Sequence, residues 1–151
     1  MKRSLARLVC GVLTVAAFTG VFAATPEQEK QFVDTYRKAY DAKDAKTLSA
    51  LLYTKGADAQ AAAFYKMMIT SELGGKITSI QLLDLTAEDK SRAAKTQSPD
   101  GRPMKLVLPA TKKLVTKSET KDKSGSSSSS SEVFVGESEG RLYILVPAAA
   151  K

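Results

Sequence analysis

The chain has no histidine, no tryptophan and a single cysteine among its 151 residues. Without histidine there is no Ser–His or Cys–His pair of the usual kind to activate a nucleophile. Without histidine, and with one cysteine, the soft ligands that zinc, copper and iron sites draw on are missing. A calcium site built from carboxylates stays open in principle, yet no loop carries the alternating Asp/Asn spacing around a central Gly that an EF-hand needs. No metal and no cofactor is therefore expected. A lone cysteine also rules out an internal disulfide, even in a compartment that would permit one. No glycine-rich phosphate loop is present, and no internal repeat. Gly74-Gly75 is expected to stop a helix by supplying positive φ.

What is there begins with an export pattern. Lys2, Arg3 and Arg7 make a positive start, residues 8–23 are uncharged and rich in Leu, Val, Ala and Phe, and Val21 and Ala23 suit the −3 and −1 positions of a signal peptidase site. Residues 1–23 are expected to be a signal peptide, cleaved after Ala23 or, as second choice, after Ala24. The competing reading is an uncleaved anchor, for which the run is borderline against the ~20 residues a span needs. Cys10 sits inside the apolar run rather than after it, which argues against lipidation. The expected product is a single domain, residues 24–151, periplasmic or secreted, with no stable membrane insertion after cleavage. It keeps 20 basic against 16 acidic residues, a net +4. The excess is local: residues 102–123 hold seven Lys/Arg and two acidic residues.

Periodicity then changes along the chain. Thr25 can cap a helix with Pro26 at its first position and Gln28 completing a capping box. Phe32, Val33, Tyr36, Ala39 and Tyr40 form one apolar stripe on it. Asp44 can cap a short second helix bearing Leu48, Leu51 and Leu52. Asp58 starts a third over residues 59–73, with Ala61, Phe64, Tyr65, Met68 and Leu73 near one side. From Lys76 the pattern is that of strands: 76–85, 104–108, 111–121, a segment ending at Val135, and 142–146, with helical turns around Glu88 to Lys95. Asp100-Gly101 and Glu139-Gly140 are turns. The serine run before Glu132 is expected to be half hairpin loop and half strand. In 111–121, Lys113, Val115, Lys117, Glu119 and Lys121 share one face, and Leu114, Thr116, Ser118 and Thr120 the other. Three helices followed by four or five mostly antiparallel strands predict an α+β domain, with a bent sheet wrapped on the long first helix.

This order resembles the nuclear-transport-factor-two-like superfamily, a cone of bent sheet on helices. The resemblance rests on the stripe Phe32-Val33-Tyr36-Ala39-Tyr40, the segment Asp41-Ala42-Lys43-Asp44-Ala45-Lys46-Thr47-Leu48, and the terminal hairpin from Glu132-Val133-Phe134-Val135-Gly136 to Gly140-Arg141-Leu142-Tyr143-Ile144-Leu145. It spans Thr25 to Pro147 at the level of pattern. It implies a cone, and members of the superfamily include isomerases, dehydratases, adaptors and exported domains. Fold alone does not choose among these. The enzymes place Asp, Tyr or His deep in the cone, and this chain has no His.

Three sets of side chains are candidates. Tyr36, Tyr40, Tyr65, Thr116 and Ser118 would line a small-molecule pocket in the cone, or be core residues with satisfied hydroxyls. Asp34 or Asp84 would serve acid–base catalysis if its pKa were raised, or face solvent and end a strand. Lys113, Lys117 and Lys121 would form a basic surface for an anionic partner, or guard a sheet edge. No aromatics interleave with the lysines, so nucleic acid is not an expected partner. The expectation is an exported, non-enzymatic binding domain for a small ligand in the cone or an envelope protein on the sheet. The alternatives are an isomerase- or dehydratase-like lyase using Asp and Tyr, and a structural accessory of an envelope complex. The resemblance also implies a homodimer through the sheet, and an outward apolar patch around Val115, Val133 and Val135 would favour the lyase or the structural-accessory reading.

Overall fold

A computed structural model describes residues 24–71, 73–98, 100–123 and 125–150. The export segment of residues 1–23, with Cys10 and the Ala23 cleavage position, lies outside the described residues. Among the described residues no helix is long and apolar enough to cross a membrane.

The first helix, α1 (Pro26–Asp41), opens as its sequence requires. Thr25 Oγ1 accepts from the Gln28 N–H at 3.3 Å, and Gln28 Oε1 accepts from the Thr25 N–H at 2.6 Å. Two orphan donors are thereby satisfied. The Gln28 side-chain amide also donates to the Gly140 carbonyl at 2.7 Å, fixing the helix start on the last hairpin. Its stripe Phe32, Tyr36, Ala39 and Tyr40 is buried. Asp44 caps α2 (Ala45–Ala50), and Asp58 caps α3 (Ala59–Ser71) by accepting from the Gln60 and Ala61 N–H groups at 3.0 and 2.9 Å. A fourth helix, α4 (Ala87–Ala94), starts on a Thr86–Asp89 capping box.

The strands are β1 (Leu52–Tyr53), β2 (Lys76–Asp84), β3 (Met104–Leu106), β4 (Lys112–Asp122), β5 (Gly125–Ser138), β6 (Arg141–Leu145) and β7 (Pro147–Ala149). Five make one sheet in the order β1-β6-β5-β4-β2, antiparallel except for the parallel pair β1–β6, and β3–β7 form a second, two-stranded sheet. The domain is α+β and roughly cone-like, with the N-terminal helices set against the sheet. One core joins Phe32, Tyr36 and Tyr40 of α1 to Leu114, Val133, Val135, Leu142, Ile144 and Val146. In the last strand and just beyond it, Leu142, Ile144 and Val146 face α1.

Several expectations need correction. The serine run is not half loop. All of it lies in β5, paired residue for residue with β4 from Lys112↔Val135 to Asp122↔Gly125. An unbroken ladder overrides the weak strand preference of serine, and Thr116–Ser131 and Ser118–Ser129 hydroxyl pairs at 2.8 Å each reinforce it. The segment at 104 is a shorter strand than expected, ending at Leu106 and not running to Leu108, and it belongs to the small sheet because its pairing partner is β7, with Met104↔Ala149 to Leu106↔Pro147 in register. Gly74 and Gly75 do not supply positive φ. Gly75 is required for space: a Cβ there would lie 2.9 Å from Thr120 Oγ1 and 3.0 Å from the Glu119 carbonyl. In α3 the buried residue is Ile69, while Phe64 stays 42% exposed. Val133 and Val135 point into the core, so the expected outward apolar patch is not made.

Candidate binding cleft

A cleft of about 400 Å³ opens between α3 and the segment that leads into β3. Its apolar wall comes from α3 and the small sheet: Ala61, Phe64, Tyr65, Met104 and Pro147. The Asp58 cap sets where α3 begins, and the Asp58 N–H donates to the Pro147 carbonyl at 3.0 Å, tying helix to floor. Phe64 and Tyr65 meet edge to face with centroids 6.2 Å apart, a favourable arrangement of ring quadrupoles.

The polar wall is a tight turn. The Gly101 N–H donates to the Ser98 carbonyl at 2.8 Å, and the Ser98 N–H to the Arg102 carbonyl at 2.9 Å. Gly101 takes φ 82°, a value glycine tolerates without cost from a Cβ. Arg102 Nε donates to Asp100 Oδ2 at 2.7 Å and Arg102 Nη2 to Gln60 Oε1 at 3.0 Å, so one guanidinium joins both walls. The Ser98 hydroxyl donates to Asp100 as well. These two donors, Ser98 first and Arg102 second, hold the Asp100 carboxyl below the usual carboxylate range. The cation therefore faces the cleft already matched by an anion. Tyr65 differs: its hydroxyl makes no hydrogen bond among the described residues, and burial pushes its pKa up, which keeps it a neutral donor and acceptor.

Of the five residues expected to line a pocket, only Tyr65 lines this cleft. Tyr36 and Tyr40 lie in the core beneath the sheet, and the Thr116 and Ser118 hydroxyls are spent on the serine ladder. The interior of the cone is filled there by α1. Asp34 stands half-buried on α1 with its carboxylate on Lys30 Nζ at 2.7 Å, and Asp84 ends β2, exposed, with Lys112 Nζ at 2.7 Å. Each lysine lowers its partner's pKa, the direction opposite to what acid–base work at neutral pH needs. The pattern Asp100-Gly101 signals a turn and carries no signal of a site. Arg102 and Gln60 come together only through the tertiary fold.

The lysine stripe is also divided by the fold. Lys117 and Lys121 are exposed, but Lys113 Nζ reaches Asp89 Oδ2 at 2.9 Å and Glu132 Oε2 at 3.5 Å. Arg92 bridges the same two carboxylates. Asp89 is buried, caps α4 and accepts from Thr86, Arg92 and Lys113, so it docks that helix on the sheet. Arg92, then Lys113, depress its carboxyl well below the usual carboxylate range. A depressed folded-state pKa adds stability above the unfolded value of about 4, which is lost as pH falls below it. Wild-type stability is thus expected to fall between about pH 4 and pH 2, and Asp89→Asn to flatten that fall while lowering stability at pH 7. Urea melts across this range check it. An unchanged slope in the variant would remove Asp89 from the acid response. Among the described residues no group of three or more His, Cys, Asp or Glu stands together to hold a metal ion.

Compared with known proteins, the chain matches no family model, no curated protein and no solved structure.

Proposed function

We propose that this chain is an exported, non-enzymatic binding domain that takes a small, uncharged, ring-bearing ligand in the cleft between α3 and the Ser98–Arg102 turn. The observation that carries this is the pairing of an aromatic wall with a prewired polar one, and the Tyr65 hydroxyl left unbonded between them. Concave, mostly apolar sites with a few placed polar groups are the usual small-molecule sites. Arg102 already has Asp100 and Gln60, so a charged ligand gains little there and loses its hydration. A lyase reading finds no raised carboxylate in Asp34 or Asp84 to support it. Export to the periplasm is supported by the basic start and apolar run of residues 1–23. Kinship with the nuclear-transport-factor-two-like superfamily is supported by the element order and by α1 lying under a bent sheet.

Benzamide, benzoate and benzylamine serve as probes. By NMR titration benzamide is expected to bind most tightly of the three. Tyr65→Phe should weaken benzamide by about 2- to 10-fold, the loss of one hydrogen bond, and Phe64→Ala should weaken it further. Tighter binding of benzoate would make Arg102 an open anion site and overturn the uncharged-ligand reading.

A further inference from the structure

We infer that the serine half of β5 is an edge-to-edge docking surface for a second copy of this chain. The hairpin joining β5 and β6 has two loop residues, Glu139 at φ 52° and Gly140 at φ 73°, and Ser138 pairs with Arg141. In such a turn the flanking pair exchanges both backbone hydrogen bonds, and bonding alternates along the strand. Ser138 and Gly136 therefore direct their N–H and C=O groups toward β6. The β5 registers run without a shift, so Glu132, Ser130, Ser128 and Ser126 direct theirs to that same side. Odd-numbered residues bond toward β4, and the Thr111 N–H donating to the Val135 carbonyl at 2.9 Å agrees with this parity.

β6 pairs with β5 only over Val135 to Ser138. Along Ser126 to Glu132 the β6 side of the strand is open, and among the described residues no backbone hydrogen bond is made there. Ser126 to Ser130 and Glu132 are exposed. Proteins usually blunt such an edge with lysine, proline or a bulge. This stretch has none of them. Its one charged residue, Glu132, is already matched by Arg92 and Lys113. Lys117 and Lys121 stand on the neighbouring β4, not on the open edge.

The edge fits its own copy better than a foreign strand. Antiparallel pairing about a two-fold axis near Ser129 sets Ser128 opposite Ser130 and Ser126 opposite Glu132, even-numbered residue against even, so every outward donor meets an acceptor. No like charges meet across it. A foreign peptide would find only serine side chains, with no pocket to read its sequence. The pairing buries far less than the ~1,600 Å² of a standard interface, so a weak, concentration-dependent dimer is expected.

Amide hydrogen exchange and sedimentation velocity over a concentration series of the folded protein test this. At low concentration the Ser126, Ser128, Ser130 and Glu132 amides should exchange fast, and the Ser127, Ser129 and Ser131 amides slowly. At high concentration the even-numbered set should slow as a dimer boundary grows. Ser128→Pro, which removes an outward N–H, and Ser130→Glu, which sets a like-charge pair near the axis, should each weaken dimerisation at least ten-fold. Within the monomer Ser130→Glu faces Lys117 across the β4–β5 ladder, so it should not lower the monomer's thermal melt, and it keeps the test valid if the proline variant unfolds. A chain that stays monomeric at millimolar concentration, or a dimer indifferent to Ser130→Glu, would overturn the inference.

Discussion

Phe32→Ala is expected to cost about 3–5 kcal/mol, the range for truncating a buried aromatic. Phe32 is buried where α1 meets the hairpin of β5 and β6, among Leu142, Ile144 and the other core side chains. Two things are lost with the ring: the apolar area it removes from water, and the packing of the cavity left behind, which rigid neighbours refill only in part. The Gln28 amide on Gly140 fixes α1 against that hairpin, so the helix cannot simply slide to close the gap. The loss is a large share of the ~5–15 kcal/mol a domain has in total. Lys117→Ala, exposed on the outer face of β4, should by contrast change stability by no more than about 0.5 kcal/mol. Denaturant melts of the two variants measure the difference. A more damaging Lys117→Ala would mean that β4 presents its lysines, not Leu114, to the core.

Ile144→Ala should cost about 2–5 kcal/mol, and Ile144→Val about 0.5–1.5 kcal/mol. Ile144 is fully buried and stands at the seam of the sheet. It pairs with Val135 on one side and with Leu52 of the parallel strand β1 on the other, and its N–H donates to the Leu51 carbonyl at 2.8 Å. The side chain thus packs where α1, α2 and three strands converge. Equilibrium unfolding of the pair separates a methyl's worth of contact from a whole side chain's. If Ile144→Ala cost less than Ile144→Val, the site would be collapsible and not the tight centre described here.

Local signals in the chain specify much of the fold. The caps at Thr25, Asp44 and Asp58 need only their own neighbours, and each forms as its sequence suggests. The alternation of Leu114, Thr116 and Ser118 against Lys113, Val115 and Lys117 gives the correct inner face, because a strand's period of two is a property of the backbone. What stays hidden depends on partners distant in sequence. The two-residue strand β1 exists only because Ile144 and Leu145 offer it an edge. The serines extend as strand only because β4 runs beside them. The cleft is hidden for the same reason. Gln60 and Arg102 are far apart in the chain, and no pattern around either announces that a guanidinium will bridge helix and turn. The tyrosines are legible as candidates in the sequence, yet their exposure depends on which way each helix faces. α1 turns Tyr36 and Tyr40 inward, while α3 leaves Tyr65 at a surface cleft.

Residue-resolved chemical shifts during a benzamide titration show where the ligand enters, and the cleft beside α3 is expected, not the interior of the cone. Saturating shifts should map to Gln60, Ala61, Phe64, Tyr65 and Arg102, with Tyr36, Tyr40, Thr116 and Ser118 unmoved. Shifts centred on those four core residues, or none at millimolar benzamide, would rule out the cleft as the binding site.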